Sequence, residues 1–270
     1  LRKICEQTLG VRFLNPVAAR GLAQFDDPAA AKQLVDAYKK FHHSERAQLL
    51  TVLASRPTYA KAFLPAIVEE KILRTDLNAS LARQIHGFSD PELKKLLSQT
   101  WGEFRDSPAE KKALIAELKA KLTPSLLSQA EKSAGRALFA KSCAQCHKLF
   151  GEGQTVGPDL TGANRDNMDY LLENMVDPSA VVSADFRMSV LTLDDGRTFN
   201  GLILAETEKT VTLRTATETV TLEKSSIEER QIVPLSLMPE NQLQPLSETQ
   251  LRDLFGYLQS RSQVALPVEK

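Results

Sequence analysis

Long apolar runs are missing from this chain of 270 residues. None approaches the ~20 residues needed to cross a bilayer, so no transmembrane segment is expected. Net charge is missing as well, because 34 Lys and Arg balance 34 Asp and Glu. That removes the bulk electrostatic case for nucleic acid or an anionic membrane surface as partner. Cysteine is scarce: three in the whole chain exclude a disulfide scaffold. No secretory leader is visible, since Leu1 to Gly10 carries scattered charges and no apolar core. The sequence begins with Leu rather than Met and reads as a piece of something longer. What is present is an ordinary globular composition, 42% hydrophobic, long enough for two or three domains.

Two of the three cysteines fall in one run, Cys143-Ala144-Gln145-Cys146-His147. C-x-x-C-H is the attachment pattern of c-type haem. Two thiols add to the vinyl groups of the porphyrin, and the adjacent His147 lies where one imidazole nitrogen reaches the iron. Other readings of the pair are weaker. A thioredoxin-like dithiol needs a strand before it and a helix after it, whereas here the pair ends a predicted helix, Ser133 to Ser142. A zinc site wants a second pair of ligands at regular spacing, and His42, His43 and His86 are far upstream. A Cys143–Cys146 disulfide would close a tight, strained loop. Cys5 is left as a lone buried thiol.

The segment from Leu149 to Arg165 is rich in glycine and turn residues, so backbone can approach a flat cofactor closely. Pro158 lacks an N–H, but its carbonyl can accept the second ring N–H of His147 and fix the ring plane. Leu160 is expected near the porphyrin, and Arg165 is a candidate partner for a propionate. Met238, bracketed by Pro234 and Pro239 in an irregular stretch, is the candidate second axial ligand. A thioether is a soft neutral donor that raises the potential of haem iron. Met168 and Met175 sit on a predicted helix and Met188 in a predicted strand, where methionine more often fills a core.

Around this site the chain changes character twice. Leu1 to Leu122 reads as helix throughout, with cap-plus-proline starts at Asp27-Pro28, Asp90-Pro91 and Ser107-Pro108. Ser107 and Glu110 also have the spacing of a capping box. The helices pair into units of roughly HEAT length. Thr123-Pro124 starts a further helix at the expected domain junction, and Met168–Val176 and Ser247–Gln259 are helical. Ala184 to Val233 is instead a run of short alternating strands, with Asp194-Asp195-Gly196-Arg197 as a strong hairpin signal. The tail from Val264 onward is expected to fray. The expected architecture is mainly α with a β insert. Residues 1–128 form a HEAT-like helical domain. Residues 129–262 form a class I-like cytochrome c domain, with a small meander or barrel inserted at about 181–234.

The segment from Ser133 to Ser260 resembles the planctomycete-type haem-binding cytochrome c domain family. The residues that carry the likeness are Gly135-Arg136, Phe139, the Cys143–His147 run, Gly157-Pro158-Asp159-Leu160-Thr161-Gly162, Tyr170 to Asn174, Asp177-Pro178-Ser179-Ala180, Met238-Pro239 and the Leu251–Leu258 helix. The HEAT-like helices resemble the stretch that usually precedes such a domain. The resemblance implies one haem c per chain, an extracytoplasmic location, and fusion or docking to a dehydrogenase domain that this sequence does not contain. The expected function is electron transfer with His147 and Met238 as axial ligands. The alternatives are a peroxidase or gas sensor with a displaceable Met238, or a partner-binding module with structural haem.

Overall fold

The computed structural model describes residues 1–215 and 217–267. The chain divides into two compact units, Leu1–Phe104 with Ser183–Asp185, and Arg105–Val182 with Phe186–Lys270.

The first unit is helical: α1 (Arg2–Thr8), α2 (Asn15–Leu22), α3 (Pro28–Ala37), α4 (Arg46–Leu53), α5 (Pro57–Val68), α6 (Ala79–His86) and α7 (Pro91–Thr100). The caps do what their sequence promises. Asp27 accepts from the Ala29 amide, Asn78 from Leu81 and Asp90 from Leu93, each supplying an acceptor to an otherwise unpaired first-turn N–H. The apolar stripes close on Leu22, Leu34, Leu49, Leu53, Phe63 and Leu97, all fully buried. Trp101 is a core anchor whose Nε1–H donates to the Leu77 carbonyl at 2.6 Å. The all-helix expectation fails at one place, the short strand β1 (Gly102–Phe104). His42 and His43 lie at the start of a 3-10 turn, with His42 Nδ1 2.8 Å from Ser44 Oγ.

The second unit holds α8 (Ala109–Lys121), α9 (Pro124–Leu127), α10 (Lys132–Ser142), α11 (Met168–Val176) and α12 (Glu248–Leu258). The expected domain border at residue 128 placed α8 with the N-terminal helices. In the structure α8 packs on α11, and its Leu118 and Leu122 share a buried cluster with Leu171, Leu172, Leu254 and Phe255. The Ser107–Glu110 capping box is absent: Pro108 is extended (φ −54°, ψ 153°) and becomes the N-cap itself, without a side-chain bond.

The α10–α12 crossing organises this unit. A Cβ on Gly135 would lie 2.0 Å from the Asp253 carbonyl oxygen, so only glycine permits this approach of the two backbones. Asp253 is itself buried and accepts from the Glu131 amide at 2.9 Å, satisfying the N-terminus of α10 from α12. Phe139 and Tyr257 close the crossing, their rings 5.7 Å apart.

Three short strands, β2 (Lys148–Leu149), β3 (Glu152–Gly153) and β4 (Val181–Ser183), precede the main sheet. That sheet contains β5 (Arg187–Leu193), β6 (Thr198–Glu206), β7 (Thr210–Arg214), β8 (Thr219–Glu223) and β9 (Ile227–Ser236), ordered β8-β7-β6-β5-β9 and antiparallel throughout. The Asp194–Arg197 turn forms as its sequence indicates, with Gly196 at φ 84°. Leu191 and Leu193 of β5 share a core with Val211 and Leu213 of β7 and Leu222 of β8, although β6 lies between β5 and β7. Such contacts need a strongly curled sheet, and register shifts in β6–β7 and β5–β9 supply the bends. Ala216, within the expected run of alternating strands, and the last three residues of the tail lie outside the described residues. Val264 is tied down, its carbonyl accepting from Arg136.

Candidate functional site

α10 ends at Cys143, and the chain keeps one more helical turn. The Cys143 carbonyl accepts from the amides of Cys146 at 3.0 Å and His147 at 2.9 Å. Positions i, i+3 and i+4 share a helix face. Both sulfurs and the imidazole therefore leave the backbone on the same side, which is what a porphyrin bonded at two vinyl groups and at its iron requires. Burial pushes the Cys143 thiol up to about 11, with the neighbouring Cys146 adding to the rise.

The loop after the motif folds back onto it. The Gln154 amide donates to the Ala144 carbonyl at 2.9 Å, and the Gly157 amide to the Cys146 carbonyl at 2.7 Å. His147 Nδ1 lies 2.9 Å from the Pro158 carbonyl oxygen. A carbonyl only accepts, so Nδ1 carries the hydrogen and the Nε2 lone pair is free to bind metal. Burial lowers the His147 pKa, against a smaller opposite effect of the Pro158 bond, and keeps the ring neutral as a ligand must be. Gly157 lies flat against this ring: a Cβ there would sit 2.7 Å from Cε1, 3.0 Å from Nδ1 and 3.2 Å from Nε2.

β2 and β3 make a small hairpin that the Gly-rich composition had concealed. Its two-residue turn, Phe150-Gly151, has positive φ at both positions, 52° and 88°, the requirement of a type I′ turn. A phenylalanine in that region is strained by ~1–2 kcal/mol. Its ring is held by two neighbours, the Arg165 guanidinium 4.9 Å from its centroid and Tyr257 edge-on at 6.5 Å.

Arg165, the candidate partner for a propionate, is held by backbone carbonyls. Its Nε donates to the Leu160 carbonyl at 2.7 Å, and one terminal nitrogen donates to the Leu258 and Ser260 carbonyls, the latter at 2.9 Å. The other terminal nitrogen reaches Thr161 O at 3.4 Å. Four of the five N–H groups of this buried side chain are thus spent on backbone. Through these bonds Arg165 clamps the loop to the end of α12.

Leu160 is fixed by its amide on the Lys148 carbonyl at 2.8 Å. Leu160, Met168, Cys143, Ala144 and Met238 are all partly buried side chains packed against one cluster of the second unit. Met175 is inside that cluster, as core fill. Met238 follows β9 by two residues, and its amide donates to Ser236 Oγ at 3.1 Å.

Comparison with known families bears on residues 133–181, which match the model described as Cytochrome c. This segment is a cytochrome c domain. Its cofactor is haem c, an iron porphyrin bonded covalently to protein, and its role is haem-based electron transfer. No curated protein matches the chain. The residues of the cytochrome c domain fit that group on structural grounds: two thiols and an imidazole on one hydrogen-bonded turn, a free Nε2, and a glycine where a side chain would strike the ring. Two features that complete the site, Gly157 against the ring and Phe150 in its strained turn, were legible only as glycine-rich loop. No helix among the described residues is long and apolar enough to cross a membrane.

Proposed function

We propose that this chain is an electron-transfer module in which Cys143 and Cys146 hold haem c, one per chain, and His147 and Met238 are the axial ligands. The haem supplies a one-electron iron centre. The protein's part is to fix the donor atoms and exclude water. The Pro158 carbonyl locks the imidazole tautomer and raises its basicity, while Gly157 fixes the ring's position. Leu160 packs beside the macrocycle. With a thioether on the other face no coordination position is left for a substrate, so the module relays electrons and does not by itself catalyse. Its donor is a fused or partner dehydrogenase, and the first unit is a HEAT-like scaffold for docking. Covalent attachment implies an extracytoplasmic location, and the domain is of the planctomycete type.

The observation that carries this reading is the single turn presenting Cys143, Cys146 and His147 on one face, with His147 Nδ1 bonded to Pro158. The test is the visible spectrum of the haem-loaded protein and of its Met238→Ala variant. Low-spin bands with a sulfur-to-iron charge-transfer band, lost in the variant, are expected. A high-spin wild-type spectrum, or rapid carbon monoxide binding to the reduced protein, would instead point to a gas- or peroxide-binding haem.

A further inference from the structure

Met238 lies in the strap between β9 and α12, residues 237–247, which contains no helix or strand. Such a segment needs other means to hold a side chain in register. One end is tied locally: the Ser236 amide donates to Ser179 Oγ at 3.2 Å, and the Met238 amide to Ser236 Oγ at 3.1 Å. Further along, Leu243 is buried in the second unit's apolar cluster, and another tie is ionic and comes from far away in the sequence. Lys111 Nζ on α8 lies 2.6 Å from Glu240 Oε1, two residues beyond Met238, and 2.9 Å from Asp177 Oδ1 at the end of α11. Asp177 is fully buried and also accepts from Arg105 at 2.8 Å.

An ammonium has three N–H donors and can serve two carboxylates at once. The Asp177 carboxylate cannot be left in the protein interior without its cations. Lys111 is therefore anchored by the buried carboxylate and spends its remaining reach on the strap. Building on the axial role assigned above to Met238, we propose that Lys111 is a positioning residue. It latches the Met238 strap through Glu240 to the α8–α11 helix pair and so sets how readily the thioether leaves the iron.

The test is the rate at which imidazole binds the ferric haem-loaded protein, which requires the thioether to depart. Glu240→Gln cuts the strap from the latch and leaves Asp177, Lys111 and Arg105 in place. It should bind imidazole about fivefold faster, the ratio expected for losing a partly buried pair of ~1 kcal/mol. Lys111→Met should bind faster still, and Lys111→Arg should return to within about twofold of wild type. Asp169→Asn is the control: it breaks the 2.6 Å Lys119–Asp169 pair, which joins the same two helices without touching the strap. Its rate should match wild type.

A Glu240→Gln rate no faster than that of Asp169→Asn overturns the latch, even with the sulfur-to-iron band present in wild type. A wild type without that band refutes the Met238 ligation itself, and the latch with it. The Glu240→Gln protein decides the matter if Lys111→Met does not fold, because Glu240 is half exposed and the buried carboxylate keeps both cations.

Discussion

Replacing Gly157 with alanine adds one methyl group at the most confined point of the site. The new Cβ would lie 2.7 Å from His147 Cε1, with Nδ1 and Nε2 at 3.0 and 3.2 Å. Real carbon contacts start near 3.5 Å, so ring and loop must separate by several tenths of an ångström. The backbone at Gly157 has no positive φ, so strain there does not confuse the outcome. The ring cannot turn away freely. Its Nδ1 is bonded to Pro158, the very next residue, and its own backbone is held by the Cys143 carbonyl. Overpacking of this kind costs ~1–3 kcal/mol, which in a domain of this size is about 2–10 °C in Tm. The assay is thermal unfolding of the haem-loaded protein followed at the Soret band, with the ferric spectrum recorded beside it. Gly162→Ala is the matched control, because a Cβ there meets nothing within 4 Å; it should stay within ~0.5 kcal/mol of wild type. Refutation would be a Gly157→Ala protein that melts with Gly162→Ala and keeps an unchanged spectrum, since the imidazole would then not lie against this glycine.

Other expectations rest on single contacts. Gly135→Ala puts a methyl 2.0 Å from the Asp253 carbonyl oxygen across the α10–α12 crossing, and the haem-bearing unit should lose at least ~3 kcal/mol by chemical denaturation. Arg165→Lys trades a fork serving four carbonyl contacts for a point donor; the unit should lose ~2–3 kcal/mol, with the spectrum retained if the residue is purely a clamp. In the first unit burial, then the bond to Asp76, push the Tyr38 phenol up to about 12. An unfolded tyrosine titrates near 10, so this group's stabilisation is complete below about pH 10 and is lost as pH rises towards 12. Denaturant midpoints followed by circular dichroism should fall through that window in wild type and less steeply in Tyr38→Phe.

The sequence was most readable where one local pattern determines the structure. Asp90-Pro91 starts a helix because cap and first turn are neighbours, and this helix and the one from Met168 run to Thr100 and Val176 as their periodicity indicates. The five strands from 187 to 236 are legible for the same reason. Legibility ended where the deciding partner is remote. Arg165 looks like any loop arginine until α12 brings the Leu258 and Ser260 carbonyls to it, over ninety residues on. Ser107 and Glu110 have the spacing of a capping box, yet the Pro108 backbone starts the helix one residue later. α8 reads as the last of the N-terminal helices because it follows them. The burial of Leu118 and Leu122 beside Leu171 and Leu172, with the Lys111–Asp177 and Lys119–Asp169 pairs, assigns it to the second unit.

This division between near and far contacts runs through the site itself. The imidazole side is built from residues 143–161, where amide-to-carbonyl bonds link the motif turn to its own following loop. Short loops cost little to close, so this half is stable with few outside contacts. The proposed thioether side is the Met238 strap, which is tied through Lys111, Asp177, Ser179 and Glu240, up to 129 residues apart, and through buried Leu243. Any loosening of the second unit should therefore release Met238 before His147. The order is open to direct measurement: as denaturant rises, the sulfur-to-iron band should vanish at a lower concentration than the low-spin Soret band. Coincident midpoints would mean that both halves of the site belong to one cooperative unit, and that the long-range contacts hold the strap no less firmly than the loop holds the ring.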